Sequence, residues 1–227
     1  MANLRRSLGF LPLLAVLTAS SSLVAADLSF TLAASDPSFS TVTTSGFHLA
    51  FESGSAVLSK DSGTGNGEVH LLSNFFLSGD FDFSVQADGL SVGSSSESGL
   101  GASQTNCCAD VFFASYAGTQ INGNLPSHAT GFTSGSSGTF EIKRVGTVLT
   151  DLFNGSVVNS DPNSAFTGPV QVEVFFIEEL NATDGGRVSF HNLVISADSI
   201  MGPAPEPTTW LLMGVALVGF AVCRARA

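Results

Sequence analysis

Residues 81–87 place apolar side chains at Phe81, Phe83, Val85 and Ala87 and polar ones at Asp82, Ser84 and Gln86. A period of two belongs to extended chain, whose side chains point alternately to opposite faces; a helix would scatter the same residues around its axis. The pattern recurs. Phe47, Leu49 and Phe51 alternate with His48 and Ala50, and Val170, Val172, Val174 and Phe176 with Gln171, Glu173 and Phe175. Phe140 and Ile142 alternate with Glu141 and Lys143, and with residues 148–153 they predict a hairpin turning at Gly146. A last strand is expected from Val188 and Phe190 to Ile195, closing the domain before Ser196. Gly- and Ser-rich segments at 59–67, 92–99, 122–137 and 181–186 read as loops. Long stretches with the composition of regular helices are missing, and no tandem repeat of constant period appears. Residues 27–202 therefore predict one all-β domain, an antiparallel β-sandwich or jelly roll.

The two ends of the chain are built differently, and both read as addresses. Residues 1–26 have the layout of a signal peptide: Arg5 and Arg6, an apolar stretch at 8–17 of helical character, and small residues Val24, Ala25 and Ala26. Cleavage is expected after Ala26, leaving Asp27 as the mature N-terminus. Residues 203–227 run Pro205-Glu206-Pro207, then 16 uncharged residues from Thr208 to Cys223, then Arg224 and Arg226. As a helix that run spans about 24 Å at ~1.5 Å per residue, short of a ~30 Å hydrocarbon core unless the arginines snorkel or the bilayer thins. The two arginines act as the membrane stop and set that end in the cytoplasm, and Trp210 suits the opposite interface. Pro205 and Pro207 keep Glu206 extended and open to a protease. The expected result is a transmembrane helix behind an exposed processing motif.

This three-part tail resembles the PEP-CTERM sorting signal of exported bacterial proteins. The resemblance implies processing at or near Pro205-Glu206-Pro207 by an exosortase, a membrane-embedded sorting protease, with transient membrane tethering. It also implies a final place in the cell envelope or outside it, in bacteria that make extracellular polysaccharide. The end is thinner in charge than a long arginine run, and an ordinary C-terminal anchor is the other reading.

Charge narrows the functional classes. Residues 27–202 carry four basic residues (Lys60, Lys143, Arg144 and Arg187) against 18 acidic ones, a net −14. Such a surface repels nucleic-acid phosphates and anionic head groups. It is compatible with plain solubility, neutral polysaccharide or divalent cations. Cys223 lies in the tail, and the adjacent Cys107 and Cys108 offer no conventional staple between distant strands. No paired Cys and His pattern for a metal is present, and no cofactor is expected.

Three segments carry a second resemblance. Gly79-Asp80-Phe81-Asp82-Phe83-Ser84-Val85, the hairpin from Thr139 to Asn154-Gly155, and the strand from Gly186 to Ile195 resemble the concanavalin A-like lectin/glucanase superfamily, which includes laminin G-like modules. The resemblance implies two packed antiparallel sheets, often with a sugar-binding face. It does not carry an activity with it.

A retaining glycanase needs two carboxylates ~5 Å apart, which on one strand means acids at alternate positions. Asp80 and Asp82 have the spacing, but Ser84 and Gln86 follow them, and they read as solvated residues at a strand start. His48, His70, His128 and His191 are scattered without metal or triad spacing, and no Gly-x-Ser-x-Gly elbow lies between a strand and a helix. The segment from Asp61 to Glu68 has Gly63 and Gly65 where a calcium loop needs oxygen-bearing side chains. Tyr116 is the one Tyr and Trp is absent from the domain, which thins any aromatic platform for sugars. No catalytic residue is assigned. The expectation is a non-enzymatic exported protein, structural or polysaccharide-associated, with a lectin-like glycan-binding domain as alternative and a glycan hydrolase behind both.

Overall fold

In the computed structural model the described residues are 26–90, 96–104, 112–117, 121–125, 128–133, 136–162, 164, 167–178 and 185–202. They form fifteen strands, and every pairing between them is antiparallel. In chain order these are β1 (Ala26–Phe30), β2 (Phe39–Thr43), β3 (Phe47–Glu52), β4 (Ser55–Lys60), β5 (Gly67–Ser73), β6 (Phe76–Asp88), β7 (Ser96–Gln104) and β8 (Phe112–Ala117). There follow β9 (Ile121–Leu125), β10 (His128–Thr133), β11 (Ser137–Val145), β12 (Val148–Phe153), β13 (Ser156–Asp161), β14 (Val170–Glu178) and β15 (Gly186–Met201).

Hydrogen bonding sorts them into two layers. The first runs β10-β9-β8-β7-β14-β5-β2 and the second β13-β12-β11-β6-β15-β4-β3, with β1 beside the later half of β15. The layers meet through a single register pair, Val170 with Leu77, and otherwise pack face to face. Alternation decides which side faces in. Val170, Val172, Val174 and Phe176 of β14, Val69 and Leu71 of β5, and Leu100 and Ala102 of β7 meet Phe81, Phe83, Val85, Phe140, Ile142, Phe190 and Ile195 of the other layer in one core. The sandwich expected from the period-two runs is the fold observed.

The hairpins follow the turn chemistry. Gly146, at φ +61°, turns β11 into β12, and Asn154-Gly155, at φ +52° and +73°, turns β12 into β13. Two successive positive φ values are what a two-residue type I′ hairpin demands, and Asn-Gly supplies them at least cost.

Five expectations need correction. The segment 122–137 is not all loop: most of β9 and all of β10 lie within it, in sequences (INGNL, HATGFT) whose Gly and Asn carry little strand propensity and which are held by pairing with neighbours. β7 begins at Ser96, inside the expected loop 92–99, and β4 extends through Lys60, leaving 61–66 as the connection to β5. β15 runs on past Ser196 to Met201, because β6 begins at Phe76 and offers partners that far. For the same reason Asp80 and Asp82 lie within a 13-residue strand rather than at its start.

Burial also redistributes the charge. Lys60 and Arg144, half of the domain's basic residues, are buried between the layers. Lys60 Nζ donates to Glu178 Oε2 at 3.1 Å, and Ser96 Oγ donates to the same oxygen at 2.7 Å. Arg144 donates to the carbonyls of Gly79 and Gly168 and lies over the Phe81 ring, 4.4 Å from its centroid. Gly79 is bent out of regular strand geometry at φ +77°, where glycine carries no steric penalty, and a Cβ there would also strike Asp198. Four acids, Asp151, Asp161, Glu173 and Glu178, are buried as well, so burial withdraws more negative than positive charge from the surface.

Candidate functional site

The first layer has an outer face of unusual make-up. On β14 the inward residues are apolar, so Glu173 and Phe175 fall on the opposite side, yet both are buried. Their register partners on β7 are Gly101 and Gly99, which put no side chain beside them. Their partners on β5 are Leu72 and His70. The His70 and Phe175 rings stack at 6.1 Å with planes 26° apart. Being fully covered, Phe175 is a support for His70 and not an open stacking platform.

His70 is the centre of this group. Its Nδ1 lies 3.0 Å from Glu173 Oε2, and its Nε2 lies 3.3 Å from Glu68 Oε2. Burial, the largest single influence, lowers the imidazole pKa; the hydrogen bond and charge of Glu173, then those of Glu68, together outweigh it and hold the pKa above the usual value. A protonated imidazole donates from both nitrogens, one to each carboxylate. The Glu68 side chain is 49% exposed and the His70 side chain 13%, so the group meets solvent through Glu68 and the ring edge. Chemically it offers fixed acceptors and a cation.

A second polar group occupies the outer face of the other layer. Asp80 and Asp82 share that face, as their spacing predicted. Asp80 Oδ1 accepts from Gly146 N at 2.7 Å, and Asp80 N donates to Asp198 Oδ2 at 2.9 Å. Asp82 Oδ2 accepts from Lys143 Nζ at 3.1 Å, directly across the register. Glu141 sits beside Asp82, and its pKa is raised by partial burial first and by the Asp82 charge second. Asp82 is thus joined to Lys143 rather than simply solvated, and its carboxyl neighbour is Glu141 from the adjacent strand, not Asp80.

The remaining sequence-derived positions divide simply. Ala26, the expected cleavage residue, opens β1 opposite Ala197. Pro205, Glu206, Pro207, Arg224 and Arg226 lie outside the described residues, as do Cys107 and Cys108. Among the described residues no helix is long and apolar enough to cross a membrane; the expected signal and transmembrane helices fall outside them. His48 pairs with Asp61 at 2.9 Å, which ties down the loop that lacked calcium ligands, and His191 lies 3.8 Å from Asp88. No group of three or more His, Cys, Asp or Glu among the described residues has a metal-holding arrangement. What sequence reasoning missed is the meeting of His70 with Glu173, 103 residues away, and the burial of Asp151, which lies with both carboxylate oxygens unbonded between the layers.

Comparison with known proteins adds two findings. Residues 203–226 match the PEP-CTERM protein-sorting motif, so the chain carries that signal at the place where the tail resembled it. The body superposes on solved jelly-roll structures with little sequence in common. One, reported with endo-acting O-glycanases that prominent members of the human gut microbiota express to initiate mucin breakdown, has a TM-score of 0.61 at 9% identity over 75% of this chain and 98% of that one. A Bacillus licheniformis β-glucanase gives 0.57 at 10% identity, over 75% and 97% of the two chains. The apo Crh5 transglycosylase gives 0.59 at 11%, over 78% and 88%. At such identities the likeness shows the fold alone: a concanavalin A-like sandwich. No curated protein matches the chain.

Proposed function

We propose that the protein is an exported module of the cell envelope or extracellular matrix, processed at Pro205-Glu206-Pro207 by an exosortase, and that its role is non-catalytic: structural or polysaccharide-associated. The sorting motif supports export and a membrane-transiting precursor. The names of the structural neighbours, which act on glycans, support polysaccharide as the class of contact. The observation that carries the non-catalytic reading is His70 held between Glu173 and Glu68. A retaining hydrolase needs one carboxyl protonated while the other is charged, with the acid's pKa raised by its surroundings. His70 stands bonded between Glu173 and Glu68, so these two carboxylates do not face a common scissile bond. The group is suited to receiving hydrogen bonds from sugar hydroxyls on a sheet face that also presents Asn124 and Ser103.

A hydrolase reading rests on one specific feature, Glu141 with its raised pKa beside the Lys143-paired Asp82. One experiment separates the readings. The purified protein is applied to a glycan array with and without calcium and incubated with the bound polysaccharides while reducing ends are measured. Binding without cleavage, weakened in Glu68→Gln and His70→Ala, is the expected result. Absence of binding removes the lectin-like reading and leaves the structural one. Release of reducing ends that disappears in Asp82→Asn or Glu141→Gln overturns the non-catalytic assignment. For sorting, replacing Pro205-Glu206-Pro207 by alanines is expected to leave the full-length precursor in the membrane fraction.

A further inference from the structure

Among the described residues five strands pair on one side only: β1, β2, β3, β10 and β13. An open edge offers backbone groups to any extended chain, and folded proteins blunt such edges with charge, bulges or covering groups. Four of the five are blunted here. β1 carries Asp27, β3 carries His48 and Glu52, and β10 is interrupted by a register shift between His128 and Gly131. β13 ends on Asp161, and its Ser160 N is capped by Asn159 Oδ1. β2 has none of these devices. It reads FSTVT, its register with β5 is unbroken, and the run from Ser40 to Ser45 is uncharged and exposed at every residue. Its Thr and Val side chains suit extended pairing.

The ladder tells which backbone groups β2 has to offer. Asn74 N donates to Ser38 O and Thr44 N donates to Glu68 O, both on the register that joins β2 to β5. Hydrogen-bonded pairs alternate with non-bonded ones along an antiparallel ladder. Ser40 and Val42 therefore bond to β5, while the N–H and C=O of Thr41 and Thr43 point away from it. Phe39, the next residue of that set, already donates its N–H to Asp36 O. Val42 is 47% exposed on the outer face, opposite His70 in the register.

We propose that β2 pairs antiparallel with β2 of a second copy of the chain, about a two-fold axis at Val42, joining the first layers of two molecules into one continuous sheet. A two-fold contact uses one patch twice, so the patch must complement itself. This register sets Val42 opposite Val42, Thr41 opposite Thr43 and Ser40 opposite Thr44. Each outward N–H of Thr41 and Thr43 then meets an outward C=O of the other copy, and the two valines form the close, non-bonded pair between them. Charge favours the same contact. Residues 27–202 carry a net −14, so most approaches set acid against acid, whereas here only neutral residues face across the axis. One strand from each copy is a small contact, so the dimer is weak and forms with concentration. The inference is independent of the polysaccharide reading.

The test is sedimentation velocity of the purified full chain from about 5 µM to about 500 µM, where a contact of this size is expected to give a monomer–dimer equilibrium. Val42→Lys sets two ammonium groups against each other, and Thr41→Pro removes an N–H that serves only the open edge. Each is expected to weaken dimerisation about tenfold or more. Mixing Val42→Lys with Val42→Glu is expected to restore association as a mixed dimer, because the two charges then meet at the axis. Val194→Lys, the same change at an exposed valine of the second layer, leaves dimerisation unchanged. A wild-type chain that stays monomeric throughout overturns the proposal. So does self-association that survives both Val42→Lys and Thr41→Pro, and so does failure of the folded Lys and Glu variants to associate when mixed. Should Val42→Lys fail to fold by circular dichroism, Thr41→Pro decides the matter: undiminished dimerisation in that variant overturns the proposal.

Discussion

Asp151→Asn tests whether burial of this carboxyl sets the pH dependence of stability. Burial pushes its pKa from the ordinary 3.8 up to about 9. Because the folded pKa is the higher one, the folded state holds the proton that the unfolded chain has released. Stability is therefore greatest below the unfolded pKa, falls as pH rises above ~4, and levels off only above about 9. Each pH unit in that window is worth ~1.4 kcal/mol, so from pH 5 to pH 8 this group alone removes about 4 kcal/mol. Full burial leaves no solvent screening to reduce the figure. Asparagine keeps the shape and the unpaired polar atoms but cannot titrate. Urea unfolding of both proteins at pH 5, 6.5 and 8 is expected to show the variant gaining about 4 kcal/mol on the wild type across the range. The constant cost of a buried polar group cancels in that comparison, as do the other titrating residues. Parallel stability–pH curves, agreeing within about 0.5 kcal/mol at every pH, would refute the argument, since they require the carboxyl to be solvated or paired.

Three further outcomes are expected. His70 titrates above the ordinary histidine value in an NMR pH series, and Glu173→Gln brings it down; the stability this pair contributes is present below the unfolded pKa of ~6.5 and lost as pH rises through the raised one, so Glu173→Gln costs about 1–2 kcal/mol near pH 6 and less at pH 8. Lys60→Met removes the cation from Glu178 in the interior and costs about 3–5 kcal/mol in urea unfolding, whereas adding Glu178→Leu recovers most of the loss. Gly155→Ala forces a Cβ into the left-handed region at the β12–β13 turn and costs about 1–2 kcal/mol, read as a Tm drop of roughly 2–8 °C.

Much of this fold was legible in residue order because its causes are local. Period-two alternation at Phe81–Ala87 and Val170–Phe176 assigns one face of each strand to the core wherever the strand sits, and Gly146 and Asn154-Gly155 turn the chain by their own backbone preferences. The sorting motif is local as well: a linear signal is read by another protein, and needs no fold around it. Strands β9 and β10 escaped notice because their residues carry little propensity for extension and are held by neighbours distant in the chain.

The chemistry was decided by contacts of long sequence separation. Lys60 reads as a loop cation until Glu178 and Ser96 close over it. His70 and Glu173 form a pair only because β5 lies against β14. Asp151 reads as one more acid on an acidic chain, and nothing in its neighbourhood marks it until the second layer brings Gly123 down on it. Sequence by itself determined the sorting motif, most of the strand pattern and the faces: the motif is a linear signal, and the others follow from covalent geometry and the aversion of apolar groups to water. Tertiary structure alone decided which charges are buried and what they meet, because the energy of a charge depends on the dielectric and the partners around it, and strands far apart in the chain supply both.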